Sequence, residues 1–245
     1  MKQLSLVAFH GTKSPAFGEL IREGQEAIRS SLPAGAFAPY RVPQVHATIA
    51  GVERLDDRAP PISRNLWRKR QVEVAMEFRD LREVVARHLP LSIRFGGFTR
   101  AARDFASRGA TPYERSFQIQ LAAGRATLIG WPHRAGDFSR RSLAELRTDL
   151  ARTCRIEHKY DDDNDLFVVL GTLDGDAVGS APDVERIERT MRERLAAGPL
   201  ELELTVDRMH VVCYLSESLE PATTTAYALD DPRLTPGFLI GLYES

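Results

Sequence analysis

The amino-acid sequence predicts an α+β protein with two pseudo-symmetric α/β lobes and mainly antiparallel sheets around a central cleft. The chain has 245 residues, which is enough for one large domain made of two similar lobes. Short apolar runs alternate with segments of helical periodicity, and the order strand, helix, strand, helix, strand occurs twice. We place lobe one at about 1–100 and lobe two at about 113–245, within a single domain.

The first lobe is predicted from periodicity and from helix-start and helix-stop signals. Ser14 is suited to cap a helix with Pro15 at its first position, and Pro33 ends that helix. Gly96 and Gly97 indicate a bulge near the end of the third strand. The predicted elements are a strand at 4–9, a helix at 15–32, a strand at 45–49, a helix at 81–88 and a strand at 91–98.

The second lobe follows a polar stretch at 99–115. Alternating apolar residues around a turn at Gly124 predict a hairpin, and strict alternation at 200–206 predicts a half-buried strand. The predicted elements are strands at 117–121 and 126–131, a helix at 143–150, a strand at 166–173, a helix at 183–195 and strands at 200–206 and 209–215.

Composition limits the classes of function. Lys plus Arg is 33 and Asp plus Glu is 34, so the formal net charge of −1 argues against extended DNA binding by charge alone. Cys154 and Cys213 have no metal-binding spacing, and we expect no disulfide framework. Because no signal peptide or membrane-spanning stretch is visible, we expect a cytoplasmic protein that does not bind membranes. We also expect a monomer.

The most informative segment is Val45-His46-Ala47-Thr48-Ile49. Side chains alternate along a strand, so His46 and Thr48 should point to one side while their neighbours face the core. An imidazole can transfer a proton near neutral pH, and a hydroxyl can donate a hydrogen bond to a phosphate oxygen. The pair is therefore suited to bind and cleave a phosphate ester.

This segment resembles the first H-x-T/S signature of the two-histidine (2H) phosphoesterase superfamily, the 2′–5′ RNA ligase and cyclic phosphodiesterase group. The strand at 91–98 and the residues 209–219 followed by Tyr227 also resemble elements of that family. The resemblance implies a metal-independent phosphoesterase, without a cofactor, that acts on a cyclic or 2′-linked nucleotide or RNA-end phosphodiester. In the family, each lobe supplies one motif, and the two histidines act as acid and base.

The second signature is not intact, and three alternatives remain open. His210-Val211-Val212 has valine where the hydroxyl residue belongs, and His158 precedes the strand at 166–173. That strand is the counterpart of the one with His46, yet it contains no histidine. The second catalytic residue could therefore be His210, His158 or absent, and in the last case the chain would be a weak or inactive nucleotide-binding module.

Further contacts to phosphate would have to replace the missing hydroxyl. The candidates are Arg94, Tyr113, Arg115 and Lys159. His10 and Thr12 form another H-x-T triplet, which we place at the mouth of the cleft or at the helix start. The acidic run at 161–165 lacks the glycine of a calcium-binding loop, and we expect no metal site there.

Overall fold

The structure is a computed structural model that describes residues 1–134, 137–139, 141–177 and 181–244. Within these residues the chain forms eleven strands and seven α-helices. The strands are β1 Gln3–Ala8, β2 Phe37–Pro39, β3 Ala47–Val52, β4 Leu91–Phe95, β5 Phe117–Gln120, β6 Arg125–Arg134, β7 Asp137–Phe138, β8 Leu166–Leu173, β9 Leu200–Leu204, β10 Met209–Tyr214 and β11 Thr224–Ala228. The helices are α1 Pro15–Arg29, α2 Arg64–Arg70, α3 Leu81–Arg87, α4 Pro112–Ser116, α5 Ser142–Asp149, α6 Ala181–Ala197 and α7 Pro236–Gly241.

The strands form one antiparallel sheet in the order β11-β10-β1-β3-β8-β6-β4-β9, with β2 attached to β8 and β5 and β7 attached to β6. The two predicted lobes are interleaved in this sheet. Strand β4, from the first lobe, pairs with β6 and β9, and β10, from the second lobe, pairs with β1. The α+β class is confirmed, and the division into two lobes stays a prediction. Among the described residues no helix is long and apolar enough to cross a bilayer.

The two faces of the central strands have different environments. Leu6, Ala47, Ile49 and Val168 are fully buried in the main core, together with apolar residues of α1, α5 and α6. Because side chains alternate along a strand, Thr48 on β3 and its counterparts on β8 point to the opposite face. Helices therefore cover one face of the sheet, and the other face is available for a site.

Helix α1 begins as the sequence predicts. The Ser14 hydroxyl accepts a hydrogen bond from the Phe17 amide at 3.4 Å, and Pro15 occupies the first turn. Gly24 allows this helix to lie close to β8, because a Cβ at this position would be 2.9 Å from Leu170 Cδ1. This close approach fixes the segment β1–α1–β3 against the centre of the sheet.

The buried side chain of Arg147 on α5 links β3 to β8. These strands pair at a single position, Ala47 with Val168. Arg147 donates from Nε to the Ile49 carbonyl at 2.9 Å, and from its terminal nitrogens to the carbonyls of Asp163 at 2.7 Å and Asp165 at 3.1 Å. Its charge is balanced by the Asp163 carboxylate at 3.3 Å. One guanidinium thus satisfies backbone groups that a short ladder leaves unpaired.

The predicted elements are confirmed except at their ends. The predicted strand at 91–98 stops at Phe95, because Gly96 and Gly97 both adopt a φ of +83° and leave the extended region. The strand predicted at 45–49 begins at Ala47, so His46 lies immediately before it. The short helices α2, α4 and α7 and the short strands β2, β7 and β11 were not predicted from the sequence; α2 is the longest of them, with 7 residues.

Replacing Arg147 by Met should lower the free energy of unfolding by about 3–5 kcal/mol, because Asp163 and several carbonyls would lose their buried partner. Arg152→Met is the matched control, since Arg152 is exposed and pairs with Asp149 at the surface. It should cost less than about 1 kcal/mol. Urea unfolding followed by circular dichroism measures both, and equal losses would contradict the role given to Arg147.

Candidate functional site

His46 and Thr48 lie side by side at the start of β3 and line a cavity of about 210 Å³. Ala47, between them, is fully buried on the opposite face. His46 and Thr48 are both half-buried. We call this space, bounded also by Arg108, Arg125 and His158, the central cavity.

The imidazole of His46 is held in one tautomer. Its Nδ1 is 2.9 Å from the carbonyl oxygen of Gln44. Because a carbonyl only accepts hydrogen bonds, Nδ1 carries the proton and Nε2 keeps a free lone pair. Gln44 is itself anchored, donating to the carbonyl of Ser218 at 2.6 Å. Burial lowers the pKa of His46 to about 4, against the opposing effect of the Gln44 carbonyl, so the ring is neutral at pH 7.

His158 and Lys159 line the same cavity. The Nε2 atom of His158 is 3.0 Å from Oδ2 of Asp163, which lies five residues further along the chain. Burial lowers the pKa of His158 to about 4, although the hydrogen bond to Asp163 acts in the other direction. The central cavity therefore contains two imidazoles that are neutral at pH 7.

His210 lies outside this cavity, on the far side of β1. Val7 of β1 pairs with Thr48 on one side and with His210 on the other. The ring of His10 lies between the other two, with its centroid 6.4 Å from that of His46 and 6.1 Å from that of His210. Val212, in the position of the missing hydroxyl, packs in a buried apolar cluster with Val7. Three histidines thus form a row, and only His46 reaches the central cavity.

The central cavity has a positive balance of charge. Among the described residues, six cationic side chains and three carboxylates line it, a difference that favours an anionic ligand. The carboxylates are Glu53, Asp163 and Glu217, and the cationic residues are Arg64, Arg68, Arg108, Arg125, Arg147 and Lys159.

Two of the arginines are oriented by aromatic rings. The guanidinium of Arg108 lies 3.8 Å from the centroid of Tyr160, and that of Arg125 lies 4.8 Å from the centroid of Phe167. Such stacking holds a guanidinium in place while its edge can still donate hydrogen bonds. The sequence contained no signal for either arginine, because both are remote from the H-x-T segment along the chain.

Of the four residues predicted to bind phosphate, Lys159 alone lines the central cavity among the described residues. Arg94 is engaged by Glu201 across β4 and β9, with Nε to Oε1 at 2.7 Å. Arg115 is buried and donates to Asp165 at 2.8 Å. Tyr113 is buried in an aromatic cluster, and its hydroxyl accepts from Arg100 at 3.2 Å. These three side chains lie outside the cavity because each is held by another side chain, and sequence spacing does not reveal these partners.

Strand β8 presents apolar residues to the cavity opposite the H-x-T segment. Phe167 and Val169 flank Val168, as His46 and Thr48 flank Ala47, and Ala47 pairs with Val168. Both Phe167 and Val169 line the central cavity. The strand opposite β3 therefore offers an aromatic ring and a valine where a second H-x-T would place an imidazole and a hydroxyl.

The residues described by the structure contain no group of three or more His, Cys, Asp or Glu side chains arranged to hold a metal ion. In the acidic run at 161–165, the side chains of Asp163 and Asp165 are buried and paired with arginines, while Asp161 pairs with Lys69. Cys154 and Cys213 are both buried and free.

No known protein family matches the chain, and no curated protein sequence matches it. A solved structure similar to it is the crystal structure of TT0787 of Thermus thermophilus. The two share 15% sequence identity, over 93% of this chain and 95% of that chain, with a TM-score of 0.43. This similarity supports no functional assignment.

The depressed pKa values of His46 and His158 make stability depend on pH. Both rings bind a proton near pH 6.5 in the unfolded chain and near pH 4 in the folded one, so the unfolded state binds more protons between these values. The free energy of unfolding should therefore fall as pH decreases from about 6.5 to about 4, by up to about 1.4 kcal/mol per pH unit for each ring.

The variant His46→Gln should reduce this dependence of the unfolding free energy on pH by up to about 1.4 kcal/mol per pH unit, which corresponds to one bound proton. The unfolding free energy is measured by urea titration at several pH values. Above about pH 7 its pH dependence should match that of the wild type, which serves as the control. Parallel curves between pH 4 and 6.5 would contradict the burial of a neutral His46.

Proposed function

We propose that this protein is a metal-independent phosphoesterase of the 2H type that acts on a cyclic or 2′-linked nucleotide or RNA-end phosphodiester. His46 and His158 are its two proton-transfer groups. The observation that carries this proposal is that both imidazoles line one cationic cavity together with the Thr48 hydroxyl. Each ring has one nitrogen engaged by a protein oxygen, and its other nitrogen, which is buried in His158, has no protein partner.

The order of the strands supports the 2H arrangement. On either side of the β3–β8 pair, β1 corresponds to β6, β10 to β4 and β11 to β9. Helix α1 connects β1 to β3 in the same way that α5 lies between β6 and β8. Strands β4 and β10 each pair with the opposite half. Such a pseudo-two-fold arrangement is what two exchanged lobes around a central cleft require.

The chemistry follows from these groups. A phosphodiester in the central cavity raises the pKa of the nearby imidazoles, because its negative charge favours the protonated ring. One imidazole takes the proton of a water molecule as its oxygen attacks phosphorus. The other, protonated, gives its proton to the ribose oxygen as the phosphorus–oxygen bond breaks. The Thr48 hydroxyl and the arginines stabilise the charge on the non-bridging oxygens.

The substitutions His46→Ala and His158→Ala should each reduce turnover of 2′,3′-cyclic nucleotides or 2′–5′-linked dinucleotides by about 10²–10⁴-fold in the presence of EDTA. His210→Ala is the matched control, because His210 lies outside the central cavity, and it should retain turnover within a few-fold. Product formation is followed by chromatography. Wild-type turnover that His46→Ala leaves unchanged would remove the proposal, and loss in His210→Ala instead of His158→Ala would reassign the second histidine.

A second candidate is a nucleotide- or RNA-end-binding module with weak or no catalysis on the same fold. The observation in its favour is that Phe167 and Val169 occupy the side of the cavity opposite His46 and Thr48. A valine cannot donate to a phosphate oxygen, and a phenyl ring cannot transfer a proton. The stack of Arg125 on Phe167 still provides a cation for an anionic ligand.

If this second function holds, calorimetry should detect binding of a 2′,3′-cyclic nucleotide while no product forms over a long incubation. Arg125→Gln should weaken binding about 10- to 100-fold, since a hydrogen bond to a charged group contributes about 1.5–3 kcal/mol. Arg94→Gln, outside the cavity, is the control and should leave affinity unchanged. Measurable turnover by the wild type would exclude this candidate.

A further inference from the structure

His158 is held by a carboxylate on one side and lacks a hydrogen-bond partner on the other. Its Nε2 is 3.0 Å from Asp163 Oδ2, whereas its Nδ1 is buried and has no partner. A buried polar atom without a partner is unusual in a folded protein and calls for an explanation, such as a catalytic role or a bound water. The ring also lines the neighbouring cavity beside Ala151 and Arg155, so it separates two spaces.

Asp163 is fixed as an ionised acceptor. Besides His158, its carboxylate faces Arg147 at 3.3 Å and Arg108 at 3.3 Å, and its side chain is 7% exposed. Burial alone would favour the neutral acid, but the hydrogen bond of His158 and the two guanidinium charges outweigh it and hold the pKa of Asp163 at about 2. An ionised carboxylate only accepts hydrogen bonds, so the proton of neutral His158 must be on Nε2.

The two imidazoles of the central cavity therefore have different hydrogen-bond acceptors. His46 donates from Nδ1 to the neutral carbonyl of Gln44, with the positive charge of Lys13 nearby. His158 donates from Nε2 to a negative carboxylate, with the positive charges of Arg147 and Lys69 nearby. Cations lie near both rings, so the difference is the hydrogen-bond acceptor: an imidazolium next to a neutral carbonyl gives up its proton more readily than one next to a carboxylate, which favours an acid. A carboxylate stabilises the imidazolium that forms when a ring accepts a proton, which favours a base.

We propose that Asp163 is a positioning residue that holds His158 in its Nε2–H tautomer, so that Nδ1 accepts the proton of the nucleophile while protonated His46 donates from Nε2 to the leaving oxygen. This inference rests on the proposed phosphoesterase function. In the balanced step, the proton of water moves to His158 Nδ1 as the new oxygen–phosphorus bond forms. The old oxygen–phosphorus bond breaks as the His46 proton moves to the ribose oxygen.

Nuclear magnetic resonance of the ring nitrogens tests the tautomer without substrate. In long-range ¹H–¹⁵N spectra at neutral pH, His158 Nε2 should show the shift of a protonated nitrogen and Nδ1 that of a bare acceptor. His158→Gln identifies these signals by their loss. His46 should show the opposite pattern in the same spectrum, with Nδ1 protonated. A wild-type His158 with the proton on Nδ1 would overturn the proposal.

Asp163→Ala is the decisive variant, because it removes the acceptor of the Nε2 proton, so that part of the His158 population should carry its proton on Nδ1 while the His46 signals stay unchanged. Asp162→Ala is the matched control, since Asp162 is 81% exposed and should leave both rings unaffected. If the proton of His158 stays wholly on Nε2 in Asp163→Ala, Asp163 does not set the tautomer. If that variant fails to fold, the wild-type spectrum decides alone.

Kinetics then test the assigned roles. Asp163→Ala should lower kcat by up to about 10²–10⁴-fold with KM changed only a few-fold, because the ligand contacts remain while the accepting nitrogen is no longer held unprotonated. Its pH–rate profile should also change shape, which a purely structural loss would not produce. Unchanged kcat with an altered tautomer would overturn the proton-acceptor role. Absence of turnover in the wild type would instead remove the phosphoesterase function, and the tautomer result would stand by itself.

Discussion

The centre of this structure depends on the burial of one guanidinium between two strands that barely pair. Arg147 takes the place of a longer ladder between β3 and β8, because it binds carbonyls on both sides and has Asp163 as its counter-ion. A lysine could not do this, since its ammonium is a point donor and lacks the planar fork of five N–H groups. The two strands can thus separate and still be held at a fixed distance.

The central cavity lies beside this weakly paired place in the sheet. A continuous ladder between β3 and β8 would close the sheet at this place, whereas a single pair at Ala47 and Val168 leaves room on the open face. The network that replaces the ladder also contains Asp163, which reaches His158. The groups that hold the strands together are therefore the groups that set the charge and the tautomer of an imidazole in the cavity.

The fold could be predicted from the sequence to a large extent, because its signals are local. Ser14-Pro15 marks the start of α1, and the apolar run before His10 marks β1. Prediction failed at element ends and in short helices, where tertiary contacts replace periodicity. The early end of β4 is an example. Gly96 turns away where a Cβ would be 2.3 Å from the Leu195 carbonyl of α6, a contact between residues far apart in the chain.

The sequence by itself determined that an imidazole and a hydroxyl leave one backbone segment on the same side, because His46 and Thr48 are two residues apart in an extended chain. Only the tertiary structure decided which other histidine lies in the same cavity. Strand β1 lies between β3 and β10 and keeps His210 away, whereas the turn before β8 brings His158 to the cavity. The alternation of side chains between the two faces of a strand is a property of that strand's own backbone. The distance between histidines on different elements depends instead on the order of the strands.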